Sequence, residues 1–310
     1  MVERKFRLVT RSDFDGLVCG AIFKELGLID EIKFVHPKDM QDGLVEISGR
    51  DITTNLPYVE GVHLCFDHHV SETIRITMRR SNHIIDPDAP SASRVVYNHY
   101  NGKKTLPRIS EEMMAAVDKA DSAQFTINEI LNPERWVLLN FLMDPRTGLG
   151  RFRDFRISNY DLMMLLIDLV REQPIEKILE HPDVKERSTL YFEHQDLHRA
   201  MLQRNAKVTR NLVKIDLSRE TVIYAGNRFV VYALFPYCNI SIMKMWGLRK
   251  EKIVLSVGKS IFNRTSKVNI GELMLRYGGG GHRNAGTCQI DPAQADVVEK
   301  EITDAILKNG

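Results

Sequence analysis

Cysteine is scarce: Cys19, Cys65, Cys238 and Cys288 are the only four in 310 residues, and no two form a Cys-x-x-Cys pair. That excludes a disulfide-stapled scaffold and a zinc site built on sulfur, and it points to reduced thiols in a cytoplasm. A long apolar run is also missing. The greasiest stretch, Leu162 to Val170, is interrupted by Asp168, and Met1 to Thr10 carries charges without an apolar h-region. No membrane span and no signal peptide are expected. Excess charge of one sign is absent too, since 43 Lys and Arg against 41 Asp and Glu leave +2. An acidic ligand must therefore be caught locally.

What remains is an ordinary globular composition, 43% hydrophobic and 27% charged, in a chain long enough for two domains. Up to about residue 125, short strand-like runs alternate with helical patterns. They are Lys5 to Thr10, Gly16 to Leu28, Ile32 to His36, Val62 to Asp67, Ser91 to Tyr100 and Ser110 to Ala120. Alternation of this kind predicts βαβ units and a parallel sheet. Leu162, Leu165, Leu166, Leu169 and Val170 fall on one helical face. The series Leu190, Leu197, Met201, Val208 and Leu212 steps by 7, 4, 7 and 4, which predicts one long connecting helix over 189–214. Beyond it, Thr221 to Tyr224, Phe229 to Leu234 and Lys252 to Val257 read as strands. Asn269-Ile270-Gly271-Glu272 opens a capped helix ending at Gly278. A smaller α/β domain is expected to close the chain.

Asp13-Phe14-Asp15-Gly16 follows the first strand directly, where open α/β sheets place ligand sites. Each Asp alone reads as a helix cap, but two carboxylates there call for a cation. Asp67-His68-His69 follows the strand Val62 to Phe66 and offers one hard oxygen and two imidazoles, a set suited to Mn²⁺ or Mg²⁺. Asp51 and Asp121 are ordinary acids that gain interest only in this company. Two carboxylates ~4 Å apart repel by about 4 kcal/mol at an effective dielectric near 20. If Asp13, Asp15, Asp51, Asp67 and Asp121 converge, divalent ions are needed to hold them, and two such ions would activate water against a phosphoryl group. Gly278 to Gly281, followed by His282-Arg283-Asn284-Ala285-Gly286, reads as a phosphate cradle; the plainer reading is a helix C-cap running into a turn. Arg151, Arg153 and Arg156 beside Phe152 and Phe155, and the basic stretch from Arg199 to Lys214, read as solvated surface or as base-stacking patches.

In this order and spacing, Asp13 to Gly16, Asp67-His68-His69 and Gly278 to His282 resemble the DHH phosphoesterase family with its associated C-terminal domain, in its nanoRNA-degrading and exopolyphosphatase-like branch. The resemblance implies a two-domain α/β fold. A metal-binding catalytic DHH domain would occupy 1–188, a helical linker 189–214 and a substrate-binding domain 215–310, with the active site in the cleft. It implies two Mn²⁺ ions, with Mg²⁺ as the alternative, held by Asp13, Asp15, Asp51, His68 and Asp121. Asp42 and Asp86 are rivals for the Asp51 role. Asp67 and His69 complete the catalytic set, His69 reaching the scissile phosphate or supplying a proton. Gly279, Gly280, Gly281, His282 and Arg283 would hold substrate phosphate. The implied activity is hydrolysis of short oligonucleotides or related nucleotides. Alternatives are polyphosphate or 3′-phosphoadenosine 5′-phosphate hydrolysis, and nucleotide sensing without turnover. A cytoplasmic protein without a membrane partner is expected, with a second copy of the chain as a candidate partner. One departure stands out: a histidine ligand that many members carry before the first Asp is replaced here by Val9 and Arg11.

Overall fold

The computed structural model describes residues 5–76, 78, 80–152 and 154–309, so Arg153 of the basic-aromatic cluster lies outside the described residues. Two compact units divide the chain, Met1–Leu190 and Tyr191–Gly310.

The first unit begins with β1 (Phe6–Thr10), α1 (Phe14–Glu25), β2 (Ile29–Phe34), α2 (Pro37–Gln41), β3 (Asp51–Thr54), β4 (Leu64–Asp67), α3 (Val70–Arg75) and β5 (His83–Ile85). Helices follow: α4 (Ala92–His99), α5 (Glu111–Asp121), α6 (Ile127–Leu131), α7 (Arg135–Met143), α8 (Asn159–Glu172), α9 (Ile175–Glu180) and α10 (Pro182–Arg204), whose last turns belong to the second unit. The strands form one parallel sheet in the order β2-β1-β3-β4-β5. Chain order reverses at β1, which lies between β2 and β3. Sheets of this order leave a crevice outside the carboxyl ends of the strands at that switch point.

Asp13 caps α1 by accepting from Gly16 N at 3.0 Å. Every residue from Phe14 to Phe23 is buried, so α1 has no solvent face and packs against α4 and α8. A side chain at Gly16 would put a Cβ 2.0 Å from Arg11 O; only glycine permits so tight a β1–α1 turn. The periodic face of α8 is buried at Leu162, Leu166 and Val170.

The second unit contains β6 (Ala206–Thr209), β7 (Leu212–Asp216), α11 (Val230–Leu234), β8 (Ile240–Trp246), β9 (Ile253–Lys259), α12 (Ile270–Leu275), β10 (Gly280–His282), β11 (Ala285–Ile290) and α13 (Ala295–Asn309). Its sheet order is β10-β11-β9-β8-β7-β6, with β7 and β8 parallel and the other pairs antiparallel. Ile240, Ile242, Leu255 and Val257 pack with Ile270 and Met274 of α12 and Ile302 and Ile306 of α13.

Three expectations need correction. The connecting helix stops at Arg204 instead of running through 214, because the β-branched, alternating Val208, Val213 and Ile215 pair as a β6–β7 hairpin around Arg210, whose φ is 54°. Phe229 to Leu234 is helical, its entry shaped by Asn227 Oδ1 accepting from Phe229 N at 3.1 Å. Thr221 to Tyr224 forms no strand. The Asn269 cap holds, with its side chain accepting from Glu272 N, although the helix ends at Leu275.

Candidate metal and phosphoester site

Asp15, His68 and Asp121 come together although they lie on α1, after β4 and at the end of α5. Each offers one ligand atom, and all three atoms lie within 4.8 Å of one another. Asp15 is 2% exposed and is gripped by the amino end of α4. Its Oδ1 accepts from Ser93 N at 2.8 Å and Ser93 Oγ at 2.5 Å, and its Oδ2 from Ala92 N at 3.0 Å. Despite these donors its carboxyl is pushed up to about 6, first by burial and then by the charges of Asp121 and Asp13.

His68 sits at the carboxyl end of β4. Its Nδ1 lies 3.2 Å from Ala89 O, so Nδ1 is the donor and Nε2 is turned to Asp121, 3.0 Å from its Oδ2. Fixing one ring nitrogen on a carbonyl in this way orients the other as a ligand. Burial lowers the His68 pKa, but the hydrogen bond and charge of Asp121, with Asp15 and Asp67, outweigh it and bring it to about 9. Burial would raise Asp121, yet His68, His69 and Arg11 hold it below the usual carboxylate range.

Asp67 is fully buried. Its Oδ1 accepts from His68 N at 2.8 Å and lies 2.6 Å from His69 Nδ1, so it fixes the His69 ring. Its Oδ2 is buried without a hydrogen-bond partner among the described residues. Asp13, at the carboxyl edge of β1, is paired with Arg11 Nε at 3.1 Å. The neighbouring Asp118 serves structure instead, receiving Arg94 Nη2 at 2.6 Å and Ser91 Oγ at 2.7 Å to tie α5 to α4.

Asp51 does not join this group. It opens β3 at the amino edge of the sheet and faces Arg7 across β1, with Arg7 Nε 2.6 Å from Oδ1 and Ser48 N 2.7 Å from Oδ2. The expected bridging role is therefore corrected: a residue at the amino end of a parallel strand lies a strand length from the ligand edge. Asp51→Asn is expected to leave turnover within about twofold and to cost about 2 kcal/mol of stability, as loss of a charged hydrogen bond does, in a urea melt with parallel assay. Neither rival replaces it. Asp42 caps the end of α2 and pairs with Lys38; Asp86, after β5, is exposed and accepts from Asp88 N. The residue that does stand at the carboxyl end of β3 is Asn55, 1% exposed, with φ 55° and with both side-chain polar atoms unpartnered among the described residues.

Two further groups escaped sequence reasoning. Arg146, held by Asp144 at 2.6 Å, is raised by Asp144, Asp13 and Asp121 against the effect of burial. Ser91 and Ser93 at the start of α4 were legible as a cap signal in Pro90-Ser91-Ala92-Ser93, but nothing marked Ser93 as the support of Asp15.

In the second unit the glycine run folds as a hairpin instead of an open cradle. Gly280, Gly281 and His282 pair with Thr287, Gly286 and Ala285. A Cβ at Gly279 would lie 2.1 Å from Thr287 O and one at Gly281 2.3 Å from Ala285 O, so these glycines allow strand contact, while Gly278 takes the turn at φ 70°. His282 and Arg283 are exposed at the hairpin tip. The basic stretch after Arg199 is largely paired: Arg199 with Asp196, Arg204 with Glu220 and Lys214 with Glu299.

The chain has counterparts among solved structures. The chain is 60% identical to the pGpG-specific phosphodiesterase PggH from Vibrio cholerae, over 99% of this chain and 100% of that one, with a TM-score of 0.84. The chain belongs to the DHH phosphoesterase family. This DHH protein is also similar in fold to RecJ from Thermus thermophilus in complex with Mn²⁺, at 14% identity over 98% of this chain and 52% of that one, TM-score 0.58. A manganese-bound exonuclease RecJ gives 15% identity, 98% and 90% coverage and a TM-score of 0.55. No protein-family model and no curated protein matches the chain. Among the described residues, no helix is long and apolar enough to cross a membrane.

Proposed function

We propose that this protein is a divalent-cation-dependent phosphodiesterase that cleaves short 5′-phosphorylated oligonucleotides, with the guanine dinucleotide pGpG as its preferred substrate. The observation that carries the chemistry is the Asp15–His68–Asp121 triad, buried at Asp15 and half-buried at the other two, at the switch point of the sheet. The substrate comes from the 60% identical, full-length relative named for pGpG.

The donor set fits a divalent cation: two carboxylates supply hard oxygens, and an imidazole with its Nδ1 already engaged shifts preference toward Mn²⁺ over Mg²⁺. Such a cation, when bound, acidifies a water and offsets charge on the phosphoryl group. The protein's own residues do the rest. Ser93 and the amides of α4 hold Asp15 in place. Asp67 holds the His69 ring, which supports a role for His69 in placing the scissile phosphate or moving a proton. In the second unit, His282 and Arg283 are the proposed contacts to substrate phosphate, Gly279, Gly280 and Gly281 shaping the hairpin that carries them. During hydrolysis the water oxygen bonds to phosphorus and the bond from phosphorus to the 3′ oxygen breaks. The leaving 3′ oxygen takes a proton, and pGpG gives two molecules of GMP. The four buried cysteines, all unpaired, support a cytoplasmic protein.

A hydrolysis panel with Mn²⁺ tests the reading, comparing pGpG, pApA, 3′-phosphoadenosine 5′-phosphate, cyclic di-GMP and polyphosphate. Conversion of pGpG to GMP ahead of the others is expected. Turnover of polyphosphate with inert dinucleotides would replace it with a phosphoanhydride hydrolase.

A further inference from the structure

We infer that this centre holds a single divalent cation and that the Arg11 guanidinium supplies the fixed positive charge of a second. The inference rests on the phosphodiesterase reading and departs from the ion pair that the family resemblance implies.

Among the described residues, Asp15, His68 and Asp121 form one group of three metal-ligating side chains, and no second group accompanies it. A second ion needs a shared carboxylate and ligands of its own. At the carboxyl edge of the sheet the side chains near the triad follow β1, β3 and β4, while Asp86, after β5, is exposed and accepts from Asp88 N. After β3 stands Asn55, a neutral carboxamide that cannot bridge two cations as a carboxylate does; the acid of that strand, Asp51, is at its other end. After β1 stands Asp13, whose Oδ1 caps α1 by accepting from Gly16 N at 3.0 Å and whose charge is already met by the Arg11 guanidinium, with Nε 3.1 Å from Oδ2. After β4, Asp67 has one oxygen committed to His68 N and the His69 ring and only Oδ2 to spare. A lone oxygen does not make a site.

Charge points the same way. Asp13, Asp15, Asp67 and Asp121 formally carry four negative charges, and one divalent ion with Arg11 offsets three of them. A guanidinium cannot acidify water, but it presents a planar fork of donors matched to phosphoryl oxygens. Water activation then falls to the single cation, and part of the charge neutralisation to Arg11.

Mn²⁺ bound to the whole chain, counted by electron paramagnetic resonance of the free ion, decides the matter. One tightly bound Mn²⁺ per chain is expected. Arg11→Ala combined with Asn55→Asp frees Asp13 and places a carboxylate at the end of β3; that variant is expected to take up two. Two tight ions on the unmodified protein would overturn the inference, as would a folded variant that stays at one. Hydrolysis of pGpG with two ions bound sinks the count alone. One ion bound with pGpG untouched sinks the phosphodiesterase reading and leaves the count standing.

Discussion

Asp15→Asn is expected to lower pGpG turnover by roughly a thousandfold or more and to remove the stabilisation that Mn²⁺ confers, because loss of a metal ligand forfeits several kcal/mol of transition-state stabilisation. The substitution is nearly isosteric, and the Asn Oδ1 still accepts from Ser93 N and Oγ, so the fold should persist. The reorganised contact is with Ala92 N, where an amide NH₂ replaces an acceptor. Purified Asp15→Asn with a native circular dichroism spectrum, assayed with saturating Mn²⁺, gives the comparison; retained turnover would remove Asp15 from the site. Asp51→Asn is the control, since it deletes an acid of the same sheet at the opposite edge.

The second large effect is a coupling of cation affinity to pH. Asp15 is raised from 3.8 to about 6, so it contributes stability that is present in full below 3.8 and is lost as pH rises through 6, about 3 kcal/mol at 1.36 kcal/mol per unit. His68, raised from 6.5 to about 9, contributes stability present below 6.5 and lost as pH rises through 9. Asp121 runs the other way: held low, it contributes stability above 3.8 that is lost as pH falls through its lowered value. From slightly acid to alkaline pH the cation-free protein therefore loses stability. A cation takes ionised Asp15 and neutral His68, so binding between the two raised values releases the His68 proton. Affinity should rise roughly tenfold per pH unit there, near a hundredfold between pH ~6.5 and ~8.5. Thermal shifts follow: at a Mn²⁺ concentration of about a hundred Kd, stabilisation is about 2.7 kcal/mol, or roughly 5–10 °C for a unit of this size. Isothermal titration in two buffers of different ionisation enthalpy reads both the slope and the proton. A pH-independent affinity would contradict the His68–Asp121 geometry.

Much of this site was legible because its chemistry is written in contiguous residues. Asp13-x-Asp15-Gly16 and Asp67-His68-His69 each follow a strand pattern, and parallel strands deliver such residues to one edge of a sheet. Asp121 reads alone as an ordinary acid and takes a ligand role only through the family resemblance, and its place beside His68 depends on how α5 packs. Asp51 misled for a physical reason. An acid beside a short strand of Thr53 and Thr54 gives no sign of which end it marks, and its partner Arg7 lies 44 residues away. Asn55 is invisible in the sequence because an amide carries no charge pattern, although its burial and left-handed φ single it out in the folded chain. The glycine run read as a loop, since its pairing with β11 depends on register that local sequence does not encode. The 7-4-7-4 series likewise extended a helix into residues whose β-branching and turn at Arg210 form a hairpin.

The central claim is that Asp15, His68 and Asp121 jointly hold the cation that drives phosphodiester cleavage. Anomalous diffraction at the manganese edge from crystals grown with Mn²⁺ tests it most directly. A peak at coordination distance, about 2.0–2.3 Å, from Asp15 Oδ, His68 Nε2 and Asp121 Oδ together is expected. Mn²⁺ bound elsewhere, with the His68–Asp121 contact intact, would contradict it.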